Sequence, residues 1–167
     1  LNSDYHLNPF DLPAIPEDED PRDVLRNNIA SIIGLLHIML GNITPEEDSI
    51  IDRAITETYA MKDITPESNL RSFSRENFPT MTDLHEVLRS MEGAEDLATR
   101  LERYTTGIFS GFINNLSNVN LTNQMVVFNL RDMEDDLRPI AMYIVLHFIW
   151  NEIRSKLKKR LVIVDEA

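Results

Sequence analysis

No cysteine occurs among the 167 residues, so neither a disulfide framework nor a thiolate metal site can form. Glycine is scarce, five in all, and nowhere do residues fall into the GxxxxGK[ST] spacing that cradles phosphates. Positive charge is in deficit: sixteen Lys and Arg against twenty-eight Asp and Glu leave a formal net charge of -12, which argues against a broad surface for nucleic-acid phosphates. The four histidines are scattered without ligand spacing. No segment reads as a membrane span. The strongest candidate, residues 140–150, is apolar apart from His147 but falls well short of the ~20 residues a bilayer requires. What remains is 43% hydrophobic, enough for one domain with a real core.

The closing residues LVIVDEA are the most informative stretch. Leu161, Val162, Ile163 and Val164 run without alternation, the pattern of a strand buried on both faces of a parallel sheet. Asp165 and Glu166 follow at its carboxyl end, where open α/β sheets place their chemistry. In a nucleotide hydrolase the first would hold magnesium and the second would orient and deprotonate the attacking water, the arrangement of a Walker B element. Such a strand needs sheet neighbours and a phosphate-gripping loop that the chain lacks. It therefore reads as an internal piece of a larger ATPase, and the opening LNSDYHLNPFDL, without initiator Met or targeting signal, agrees.

Upstream, residues 1–20 read as a loop with a possible short strand at 5–8, ending in the acidic linker Glu17 to Asp20. Asp20 and Pro21 then make an N-cap and first turn. Leu25, Ile29, Ile32, Ile33, Leu36 and Leu40 follow at helical spacing until Gly41. Thr44, Pro45 and Glu47 form a capping box for a second helix, with Ile50, Ile51, Ala54, Ile55 and Tyr59 inward. A polar connection spans 62–79. Thr82 is the expected N-cap of a third helix with Leu84, Val87, Leu88 and Met91 inward, and a fourth covers about 94–104 with Leu97, Leu101 and Tyr104. Gly107 and Gly111 are expected to break the chain before the Asn-rich NNLSNVNLTN.

MVVFNL at 125–130 is a second candidate for a buried strand, and a core helix over 140–150 separates it from LVIVDEA. Met142, Tyr143, Phe148 and Trp150 read as core packing, His147 as a core residue and His85 as a helix-surface one. Arg154, Lys156, Lys158, Lys159 and Arg160 suit a helix carboxyl end, the alternative being a patch for lipid or nucleic acid. Asn8 and Pro9 read as a turn that, after a strand, could also approach nucleotide. The expected fold class is mainly α: a helical subdomain at 21–106, then at 107–167 one βαβ unit with short parallel strands.

With these elements placed, the chain resembles the ATPases of type IV secretion and conjugative transfer, of the TraC/TrbE type within the wider HerA/FtsK group. The likeness rests on HLNPFDL at 6–12, FPTMTDLHEVL at 78–88, LERYTTGIFSGFINN at 101–115, VVFNLRDM at 126–133 and the helix running into LVIVDEA. It implies a RecA-like domain with a helical insertion between Walker A and Walker B, at the cytoplasmic face of the inner membrane. A homo-oligomer, commonly a hexamer, and other secretion-apparatus subunits are the implied partners. ATP and Mg2+ are the implied cofactors of the parent protein, with Asp165 for the metal and Glu166 as general base. Neither cofactor is expected on this piece alone, which should hydrolyse no ATP, and direct nucleic-acid binding by it is not expected. No counterpart of the phosphate-binding lysine and threonine is present, and Arg71 and Arg75 are not assigned as arginine fingers. The other reading is a helical protein-interaction module with no nucleotide chemistry, in which DEA is merely a strand end.

Overall fold

Asp20 caps the first helix by accepting a hydrogen bond from the Arg22 amide at 2.9 Å, and Pro21 occupies the first turn, where its missing N–H costs nothing. The computed structural model describes residues 5–107, 109–119, 123–131, 133–155 and 158–165. Helix α1 runs over Pro21–Leu40 and ends at Gly41, whose φ of 74° lies in the region that favours glycine. Thr44 then closes a reciprocal capping box with Glu47 and starts α2, Pro45–Ala60. Residues 62–79 hold two short 3₁₀ turns, Leu70–Ser72 and Arg75–Asn77, and bury Ile64, Leu70 and Phe78.

Helix α3, Met81–Ser90, is capped by Thr80 rather than Thr82, because the Thr80 amide and hydroxyl both reach Asp83, at 2.7 and 2.9 Å. Helix α4 covers Glu95–Thr105. The expected break after it is a single turn, α5, Ser110–Ile113, in which Gly111 is itself helical. Gly107 is required by close approach: a Cβ there would lie 2.5 Å from the Arg103 carbonyl oxygen. The last helix, α6, is Arg138–Ser155.

The apolar stripes read from the sequence converge. Helix α1 packs on α2, α4 and α6, α2 on α3, and α3 on α4. Leu36, Ile51, Ala54, Ile55, Leu84, Leu88 and Leu101 have essentially no exposed surface. By length and composition α1 could cross a membrane, a property the eleven-residue count at 140–150 did not reveal. In the fold its inward face lies against three other helices. The segment before α1 is built into this core, with Leu7, Asn8 and Phe10 buried.

The βαβ unit is not seen, and no strand occurs among the described residues. Leu161 and Ile163 are 85% and 80% exposed, and Met125 and Val127 are 82% and 78% exposed. A strand satisfies its backbone groups only through a neighbour, and neither segment meets one here. Helix α6 is correspondingly two-faced. Ile140, Ala141, Ile144 and Val145 are buried, whereas Met142, Leu146 and Trp150, one turn apart along the opposite side, are exposed. Met142 and Trp150 are therefore not the core residues their chemistry suggested.

Candidate functional site

The buried polar groups concentrate where residues 6–11 thread between the helices. Asn8, 5% exposed, donates from its side chain to the Pro79 carbonyl at 2.8 Å and accepts from the Phe10 amide at 3.1 Å, the Asx turn that its pairing with Pro9 favours. Its own amide donates to the Ser117 hydroxyl at 2.6 Å. His6 exchanges two bonds with Asn118, amide to side-chain oxygen at 2.7 Å and carbonyl to amide at 3.2 Å. The HLNPFDL stretch thus joins the start of α3 to the loop after α5. Asn114 ties the same loop to Thr82 and to the Thr105 carbonyl.

Deeper in, Asn28 sits on the apolar face of α1 at 2% exposure. Its side-chain amide donates to the Pro9 carbonyl at 3.1 Å and to the Tyr59 hydroxyl at 2.7 Å, and Tyr59 donates onward to the Phe10 carbonyl at 2.8 Å. Three elements are closed into one ring of bonds. Burial drives the Tyr59 phenol well above its usual range, so it stays a donor. His147 Nε2 lies 2.9 Å from the Asn151 amide nitrogen and 3.2 Å from Asn28 Oδ1; a neutral imidazole nitrogen serves one of these at a time. Burial lowers the His147 pKa, which favours that neutral form.

Asp11 is the perturbed acid of the group. Burial pushes its carboxyl from 3.8 up to about 6, against the opposing pull of Ser117, Arg75 and Asn8. Its Oδ2 is 4.0 Å from Arg75 Nε, while Oδ1 is buried without a hydrogen-bond partner among the described residues. Arg75 also donates to the Val119 carbonyl at 2.9 Å, and Arg71 donates to the carbonyls of Pro16 and Glu19 at 2.8 and 2.9 Å. Both arginines hold loops in place.

Asp165, singled out from the sequence, is not part of this cluster. Asp165 is exposed at the end of the extended apolar tail, and Glu166 and Lys156 lie outside the described residues. Among the described residues no three His, Asp or Glu side chains gather into a metal-sized group. Of the basic run, Arg154 pairs with Glu19 at 3.0 Å while Lys158 and Lys159 are exposed. The sequence reading missed Asn28, Asp11 and Ser117 as members of one network. Asn28 was detectable, since a carboxamide three residues after Leu25 and four before Ile32 must be buried with partners.

Comparison with known proteins gives a likeness of structure only. No family model matches the sequence, and no curated protein matches it. The fold superposes on VirB4 of Thermoanaerobacter pseudethanolicus with a TM-score of 0.80 and 22% sequence identity, over 93% of this chain and 42% of that one. The chain therefore spans well under half the length of that structure and shares the fold of part of it.

Proposed function

We propose that this chain is the helical part of an ATP-driven motor of the type IV secretion class. The observation that carries the reading is the superposition on VirB4 across 93% of the chain. The terminal sequence supports it independently, because Asp165 and Glu166 follow an apolar β-branched run as a Walker B pair does. In this reading the exposed runs at 125–127 and 161–164 are strands that pair with the rest of an α/β sheet, and the exposed side of α6 packs on that sheet. Asp165 is the proposed magnesium ligand and Glu166 the proposed base. The protein works in the company of secretion-apparatus subunits at the inner membrane, as a homo-oligomer.

The test is genetic. In cells whose gene carries Glu166→Gln, the protein should accumulate normally while transfer of DNA or protein out of the cell is lost. Transfer at the wild-type frequency would overturn the reading.

A further inference from the structure

Residues 8–10 are fastened to the helices through side chains rather than by a strand ladder. The Ser117 hydroxyl accepts from the Asn8 amide, Asn28 donates to the Pro9 carbonyl and Tyr59 donates to the Phe10 carbonyl, so the loop after α5, α1 and α2 each supply one bond. Leu7, Pro9 and Asp11 also form one wall of a cavity of about 40 Å³, whose other walls include Ile32 and Leu35 of α1 and Ile144 of α6. The segment is therefore held at points, with space beside it. A stretch anchored in this way can open locally while the packed helices stay closed.

Asp11 closes the segment, its side chain 18% exposed. The cation facing it is Arg75, at 4.0 Å and so beyond a hydrogen bond, and Oδ1 meets no donor among the described residues. A neutral acid tolerates that setting, whereas a carboxylate there has lost water without full replacement. We propose that residues 6–11 are a strap that opens on its own, ahead of the helical bundle, and that the charge on Asp11 sets how often it opens. The strap is tightest with Asp11 protonated and loosens as the carboxyl ionises. The other titratable groups around it act differently. Tyr59 of α2 and Tyr143 of α6 are both raised above 10 and stay neutral, while α1 turns Ser31, Ile32 and Leu35 to the cavity, none of which titrates. His147 of α6 shares the cavity and works in the opposite sense, since it charges as pH falls. His6, at the head of the strap, bonds the Gly111 carbonyl through Nδ1 at 2.7 Å. This device belongs to the fold alone, and its failure would leave the motor reading as it stands.

Amide hydrogen exchange in the whole protein that carries this chain reads the opening directly. The reporters are the Asn8 and Phe10 amides, each bonded inside the strap or to Ser117, with every rate divided by the intrinsic rate at the same pH. Their protection should lie at least about tenfold below that of the α2 amides, as expected of a local rather than a global opening. Between pH 5 and pH 8 it should fall about tenfold, the ratio that a carboxyl at about 6 when closed and 3.8 when open produces. In Asp11→Asn, which carries a permanently neutral side chain, protection should no longer fall over that range. Arg75→Gln removes the cation that favours the charged form, so the fall should deepen, and this variant tests the strap even where Asp11→Asn folds poorly. Strap and α2 amides of equal protection would overturn the proposal, because the strap would then open only with the whole fold. A pH-independent protection in the wild-type protein, a fall that persists in Asp11→Asn, or one that does not deepen in Arg75→Gln would overturn it as well.

Discussion

Tyr59→Phe removes one oxygen from the interior and nothing else. The ring stays packed edge-on against Phe10, at 5.4 Å between centroids, so the apolar contact is retained. Two bonds go: the donation to the Phe10 carbonyl at 2.8 Å and the acceptance from Asn28 at 2.7 Å. Each net bond is worth about 1 kcal/mol, and a buried carbonyl left without a donor costs about 1–3 kcal/mol, so a loss of about 2–3 kcal/mol is expected. For a chain of this length each kcal/mol moves Tm by roughly 2–4 °C, so Tm should fall by about 4–12 °C. In urea the midpoint should drop while the slope stays the same, because the surface exposed on unfolding is unchanged. Combining Tyr59→Phe with Asn28→Ala should cost less than the sum by at least about 0.5 kcal/mol, since the two share a bond. A Tm within about 1 °C of wild type would refute the assignment of these bonds as the clasp on residues 9–10, given that scaling.

The pH dependence has two opposed components. Asp11 keeps its proton in the folded state up to about pH 6 but loses it near 3.8 when unfolded, so its contribution to stability is lost as pH rises between those values. Urea unfolding should show Asp11→Asn gaining on wild type across that window; parallel curves would contradict the shift. His147 runs the other way: its folded pKa lies below the usual 6.5, so stability is lost as pH falls through that value, and His147→Gln should flatten the fall. An unchanged pH profile in that variant would count against burial of the imidazole. Gly107→Ala places a methyl 2.5 Å from the Arg103 carbonyl and should destabilise by about 1–3 kcal/mol by thermal unfolding, the scale of overpacking; a neutral substitution would mean that the backbone there yields freely.

The helices were legible because their signals are local. A capping residue, a Pro in the first turn and apolar residues three and four apart fix α1 and α2 to within a residue of the structure. Thr80 and Thr82 compete as caps for α3, and periodicity does not distinguish them; the position of Asp83 three residues after Thr80 does. The runs at 125–130 and 161–164 carry a real strand preference, but a strand is completed by residues elsewhere; without a neighbour 125–127 and 161–164 lie exposed, and Phe128 and Leu130 pack only partly against the core. Likewise the composition of α6 gives no face to choose, so which side is buried depended on where α1 lies. The polar clasp on residues 6–11 draws on groups from residue 6 to residue 151, and no spacing rule links groups that far apart.

The most direct measurement is nucleotide affinity and turnover, side by side, for the whole protein that carries this chain and for its Glu166→Gln variant. As a motor whose base is Glu166, the variant should bind ATP as wild type does and turn it over roughly a hundredfold more slowly, the scale of a lost general base. Wild-type turnover in the variant, or no nucleotide binding by the wild-type protein, would contradict the motor.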